Sequence, residues 1–167
     1  MVGITKFKQT FQDLARPNRF RVLIPDVLDS NTSMLCIQAS IPAVSFNTDT
    51  FYNAADSMTI APYEMPNDVL FTELNLTFMD TPTLDIRKGF DAWLEQVFEP
   101  SSGFGYLDDF KKSVTIQLLN RKGETTYTIN CENCWPKSVD ALPLDAAQAN
   151  EFATFSAQLA FNYYEVQ

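Results

Sequence analysis

The sequence predicts a mainly β domain: an antiparallel β-sandwich or partial barrel with one central helix and a short N-terminal helix. Three observations carry this. The stretch Glu151 to Val166 alternates, with Phe155, Ala157, Leu159, Phe161 and Tyr163 on one parity and Thr154, Ser156, Gln158 and Asn162 on the other. That is the period of a strand with one buried face and one wet face. Several earlier segments alternate in the same way and are joined as hairpins. Only two stretches carry helical spacing. The 167 residues suffice for one domain with a real core, and 46% of them are apolar, a globular composition.

In chain order, Ile4, Phe7, Phe11 and Leu14 lie at helical spacing. Pro17 ends that helix, because the residue before a proline is pushed out of helical geometry. The helix packs either on its own sheet or on a neighbour. Asn18–Pro25 alternates Phe20, Val22 and Ile24 against Arg19 and Arg21 and reads as the first strand. Met34–Ile41 reads as the second, with Leu35, Ile37 and Ala39 on one face and Cys36 and Gln38 on the other, stopped by Pro42.

The segment Ala43–Val69 is long for a loop. It carries Asp49, Asp56, Glu64 and Asp68, no Lys or Arg, and a set of large apolar groups that includes Phe46, Phe51, Tyr52 and Met65. A solvated linker would not carry these. Either the segment folds over its own core, or it is an arm that buries them against another copy.

Leu70–Met79 alternates again, with Leu74, Leu76 and Phe78 inward and Glu73, Asn75 and Thr77 outward. The central helix follows, with Thr81 as its expected cap, Pro82 at its first helical position, and Ile86, Phe90, Trp93 and Val97 as its buried stripe. Val114, Ile116 and Leu118 mark a strand. Asn120-Arg121-Lys122-Gly123 is its turn, and Tyr127, Ile129 and Cys131 its return. Trp135-Pro136 is expected to break the sheet. Leu142 and Leu144 are expected to strap a loop across an edge.

Composition removes whole classes of function. Histidine is absent, which removes the commonest general base and the His-assisted nucleophiles. No phosphate-binding glycine loop occurs. The net charge of −9 repels free nucleic acid. Residues 1–21 hold five of the 12 basic residues against one acid, so the rest of the chain is net −13. An asymmetry of this kind suits head-to-tail contact between copies. The cysteines are Cys36, Cys131 and Cys134. An odd count with no signal peptide fits a reducing compartment. Cys131-Glu132-Asn133-Cys134 is a C-x-x-C outside the strand-to-helix setting that redox chemistry needs, and the three cysteines fall short of a zinc site. No cofactor, metal, catalytic residue or membrane span is expected.

Several segments together resemble the tail tube proteins of contractile-tailed bacteriophages. They are Ala15-Arg16-Pro17-Asn18 leading into Phe20-Arg21-Val22, then Phe90-Asp91-Ala92-Trp93, Tyr106 to Ser113, Trp135-Pro136-Lys137-Ser138-Val139, Leu142 to Asp145, Asn150-Glu151, and the Phe155–Tyr164 strand, in that order. The resemblance spans nearly the whole chain, 1–167 as one domain, with 1–17 as N-terminal helix or arm and 43–69 as an extended stacking arm. It implies a structural virion protein that is no enzyme. Hexameric rings form a continuous β-barrel and stack into the inner tube of a contractile tail, the conduit for DNA ejection. The implied partners are further copies of itself, a tail sheath protein, and baseplate and tail-terminator proteins. A tape measure protein and genomic DNA pass through the lumen without specific binding. Assembly is expected in the host cytoplasm. A baseplate tube-initiator and the inner tube of a phage-derived or type VI-like injection system are close alternatives. A monomeric β-sandwich binding module and a thiol enzyme are the alternatives from other classes.

Residue by residue, stacking falls to Lys6, Lys8, Arg16, Arg19 and Arg21 against Asp49, Asp56 and Glu64 of the next ring, with Phe51 and Tyr52 as apolar anchors. The lumen falls to Glu73, Asn75, Thr77, Ser156 and Gln158.

Overall fold

A computed structural model describes residues 16–25, 27–28, 32–52, 62–144 and 152–167. The expected N-terminal helix lies outside them. Two antiparallel sheets share one long strand. The first sheet runs β11 (Tyr163–Val166), β9 (Thr125–Val139), β8 (Lys112–Leu119), β1 (Phe20–Leu23). The second runs β9, β10 (Thr154–Ala160), β5 (Leu74–Met79), β2 (Cys36–Ala39). Apolar side chains alternate inward from both, with Val22, Leu76, Phe78, Val114, Ile116, Ile129, Ala157 and Leu159 almost wholly buried between them. This is the expected sandwich.

The shared strand corrects an expectation. β9 does not stop at Trp135-Pro136 but runs on to Val139. Its first part pairs β8 and β11; from Trp135 it pairs β10. β8 ends opposite Cys134, so the side of Pro136 that lacks an N–H meets no strand, and proline is tolerated there. Asn133, at φ 56°, supplies the kink that carries the strand from one sheet to the other. The C-terminal strand makes the same crossing. It divides at Phe161-Asn162 into β10 and β11, and its parity reverses, so Phe161 is buried while Tyr163 is exposed.

Further differences follow from local geometry. Thr32–Leu35 is a 3₁₀ turn, and the register slips between Cys36 and Gln38. Cys36 therefore points inward and Ile37 outward, the reverse of simple alternation. The central helix α1 spans Asp85–Val97. It begins after Leu84, whose φ is 53°, not at Thr81. The Asp80 carboxylate accepts from the amides of Ile86 and Arg87, satisfying donors that a helix start leaves open. The hydroxyls of Thr81 and Thr83 donate to Asp85 instead. Ile86, Phe90 and Trp93 are buried, with Phe90 packed on Phe78 and Phe155 of the second sheet. Gly89 is required here, since a Cβ would stand 2.8 Å from the Val27 carbonyl oxygen. A short β6–β7 pair (Phe98–Glu99 with Gly103–Phe104) and the one-turn helix α2 (Leu107–Phe110) lead into β8. The turn at Asn120–Gly123 forms as expected, with Asn120 Oδ1 accepting from the amides of Lys122 and Glu124. Leu142 packs on the core, but Leu144 is exposed.

The segment after Pro42 is not a loop. β3 (Val44–Tyr52) and β4 (Pro62–Phe71) pair along their length as a two-stranded ribbon. The strand expected from Leu70 to Met79 is accordingly two, since Leu70 and Phe71 end β4 and β5 starts at Leu74. The ribbon prolongs the β2–β5 pair outward. Between them the Ser40 amide donates to the Asn75 carbonyl, and that of Thr72 to the Ala43 carbonyl. Every residue of β4 is exposed. Phe71 ties the root down, its ring 5.6 Å from Phe161 and 6.1 Å from Tyr164.

Candidate assembly surfaces

The second sheet has an inner face that is core and an outer face that is polar. Outward on β5 are Asn75 and Thr77; outward on β10 are Ser156 and Gln158. The register sets Ser156 opposite Thr77 and Gln158 opposite Asn75. The five residues expected together on a wet face thus gather on one sheet, with Glu73 at its margin. Thr77 and Ser156 share a hydrogen bond between hydroxyls, 3.0 Å, and Ser138 donates to Gln158 Oε1 at 3.2 Å. Glu73 is ion-paired to Lys137.

Sequence reasoning missed Gln38, Lys137 and Ser138 on this surface. Gln38 was set on its face by parity, but the slip at Cys36 puts it opposite Thr77. Lys137 and Ser138 follow the proline at which the sheet was expected to end. Apolar Trp135 and Val139 on either side of Lys137 and Ser138 were the available signal, and a bulge at Lys137 blurs the period. The four strands together present an uncharged wall of hydroxyls and amides, interrupted by one ion pair.

This sheet has two open edges. No strand flanks the outer side of β2, and beyond Cys134 none flanks the side of β9 that faces away from β10, among the described residues. Open edges present unpaired N–H and C=O groups to whatever strand comes next.

The described basic candidates lie on and just before β1, at the edge of the first sheet. Arg16 is exposed, Arg19 reaches the Asn120 carbonyl at 3.3 Å, and Arg21 sits on edge strand β1 opposite Gln117. Lys6 and Lys8 lie outside the described residues, as does Asp56. On the ribbon, Asp49 pairs Met65 and Phe51 pairs Tyr63, so these four share a face. Glu64 pairs Thr50 and takes the opposite face. The ribbon does not bring Asp49 and Glu64 together. Tyr52 ends β3 opposite Pro62.

The cysteines are free and buried. Burial pushes the Cys36 thiol up to about 12. The neighbouring Cys131 sulfur and burial hold Cys134 far above the ordinary thiol range, and its Sγ donates to the Cys131 carbonyl at 3.3 Å. A reactive thiolate needs the opposite environment and access to solvent; Cys131, whose thiol the hydrogen bond with Cys134 lowers, is wholly buried. Among the described residues no cluster of His, Cys, Asp and Glu is placed to hold a metal, and no helix is long and apolar enough to cross a membrane.

The fold is shared with chains of solved contractile machines. The fold matches a chain of the sheath–tube complex of an extracellular contractile injection system with a TM-score of 0.71, at 19% identity, over 100% of this chain and 99% of that one. It matches a chain of that system's sheath/tube terminator with a TM-score of 0.72, at 21% identity, over 92% and 96%. In sequence, the profile of the family described as "Phage tail tube protein" matches residues 4–167, and the chain belongs to that family. It is similar to tail tube protein gp19 of Enterobacteria phage T4, 28% identical over 156 residues and 92% of each chain. The same protein of Enterobacteria phage T6 is 28% identical over 163 residues, again covering 92% of each. The chain is a structural component of a tail tube.

Proposed function

We propose that six copies close into a ring by edge-to-edge pairing, β2 of one against the second part of β9 of the next, and that the polar face of the second sheet lines the bore. The observation that carries this reading is the uncharged outer face of a sheet whose two edges are both open among the described residues. Strand spacing of about 4.8 Å gives a hexamer of four-stranded sheets a perimeter on the order of 115 Å, hence a barrel ~37 Å across before side chains and strand tilt are counted. Double-stranded DNA fits through such a bore. A wall of Ser, Thr, Asn and Gln side chains offers phosphates no ion pairs, so DNA and a tape measure protein slide without being trapped.

Rings stack head to tail, a heterologous contact that leaves an open polymer. Asp49 and Phe51 of the ribbon, with Tyr63 and Met65 on the same face, meet the basic end of the next ring at Arg16, Arg19 and Arg21, with Lys6 and Lys8 from the N-terminal segment. Asp56, Glu64 and Tyr52 belong to the same arm, Glu64 serving a second contact on its other face. A sheath protein surrounds the tube, and baseplate and terminator proteins close its ends. The tube is assembled in the host cytoplasm, is carried in the virion tail, and catalyses nothing.

Sedimentation of the purified chain tests the ring. Species at multiples of six times 18.9 kDa are expected, growing into tubes visible by negative stain. A chain that stays at 18.9 kDa at every concentration, as a monomeric binding module would, refutes it.

A further inference from the structure

The Lys137–Glu73 ion pair spans a whole strand of the second sheet. Lys137 is on β9 and Glu73 immediately precedes β5, so β10 lies between them. Their side chains therefore reach across about two strand spacings, ~9.6 Å, to meet. Two features make the crossing work. Lys137 sits in a bulge, skipped in the register between Pro136, which pairs Leu159, and Ser138, which pairs Gln158. The crossing is diagonal: Lys137 stands level with Gln158 and Leu159, and Ala160, next after Leu159 in the pairing with Leu74, is level with Glu73, where its methyl group leaves the path open.

The pair is a poor device for stability. The two side chains are 53% and 36% exposed, and ion pairs that open to water contribute little. Its position is what sets it apart. Lys137 is the one cation on the outward positions of β2, β5, β10 and the second part of β9, in a wall otherwise made of hydroxyls, amides and a few apolar groups.

We propose that Glu73 is a charge mask: it holds Lys137 in an internal ion pair so that the wall binds no phosphate. The proposal rests on the reading of this face as the bore. Without the mask each ring would present six ammonium groups inward, and successive rings would repeat them along the DNA. Each ammonium that meets a phosphate releases condensed counterions, giving salt-sensitive attachment where free passage is needed.

The test uses purified tubes of wild type, Glu73→Gln, Lys137→Gln and the double variant, sedimented with fluorescent duplex DNA. Glu73→Gln tubes are expected to retain about tenfold more DNA than wild type at ~50 mM salt, falling to the wild-type level by ~500 mM. Lys137→Gln and the double variant stay at the wild-type level. Glu73→Ala leaves Lys137 equally unmatched and takes the place of Glu73→Gln should that variant not assemble. Retention unchanged in the Glu73 variants, or equal retention in the double variant, overturns the mask. Asn75→Cys in otherwise wild-type tubes separates the two ways of failing. If it reacts with a small maleimide but not with maleimide on a large dextran, the face lines the bore, and unchanged retention overturns the mask alone. Reaction with the dextran reagent overturns the bore reading and the mask with it.

Discussion

The ring of Phe71 stands 5.6 Å from that of Phe161, which joins the root of the exposed ribbon to the corner where the C-terminal chain crosses between sheets. Tyr164 completes the cluster, 6.1 Å from Phe71 and 6.3 Å from Phe161. Residues 62–70 of the ribbon have no buried side chain of their own, so this cluster sets the ribbon's direction.

Phe71→Ala should therefore loosen the ribbon more than the body. Phe71 is partly exposed, and the cost to global stability should be modest, about 1–2 kcal/mol. Hydrogen exchange is the check: faster exchange in 44–52 and 62–71, with the amides of Leu74–Met79 still protected, and shorter tubes under the same conditions. Loss of protection throughout the sheet would show that the ribbon is part of the core's cooperative unit.

Trp93 Nε1 donates to the Phe110 carbonyl at 2.6 Å inside the core. Trp93→Phe removes the donor, leaves that carbonyl without this partner and opens a small cavity. The expected loss is about 2–4 kcal/mol. In urea unfolding of the unassembled chain, the midpoint should fall with little change in slope.

Much of the sandwich was legible before the structure. Phe155, Ala157 and Leu159 alternate without interruption because β10 is central and buried on one face only. Ile86, Phe90 and Trp93 gave the helix for the same reason. What escaped were places where one residue breaks the period. The slip at Cys36 turns Ile37 outward, Asn133 steers β9 past Pro136, and the break at Phe161-Asn162 reverses parity. None of these has a residue type that demands it. The ribbon was illegible as strands because it is wet on both faces, so burial imposes no alternation on β4. The helix start was misplaced because Thr81 and Pro82 are good signals for a first turn that Leu84 delays. The polar wall was half legible: Asn75, Thr77, Ser156 and Gln158 follow from parity, but Lys137 lay behind a proline.

Cys36 should make the fold sensitive to alkali. Its thiol, ordinarily near 9.0, is raised to about 12 by burial. The unfolded chain then releases this proton first, so its contribution is whole below pH ~9 and is lost as pH rises toward ~12. The slope is about 1.4 kcal/mol per pH unit inside that window. Thermal unfolding between pH 8 and 11 should fall more steeply in wild type than in Cys36→Ala. Equal slopes would mean the thiol does not stay protonated in the folded state. All three thiols should also resist a thiol reagent until denaturant is added.

If stacking is electrostatic, salt should shorten assembled tubes, because exposed charges are screened within about 8–10 Å at physiological salt. Arg21→Glu should cut polymerisation at low salt while single rings still form. Adding Asp49→Lys should restore part of it if these two residues meet. Failure of the pair to compensate would move the contact elsewhere on the ribbon.

A cryo-EM map of tubes grown from the purified chain tests the central claim most directly. Hexameric rings are expected, with Asn75, Thr77, Ser156 and Gln158 lining the bore and β2 of each subunit hydrogen-bonded to β9 of its neighbour. A tube with those four side chains on its outer surface, or with β2 and the end of β9 left unpaired between subunits, would contradict it.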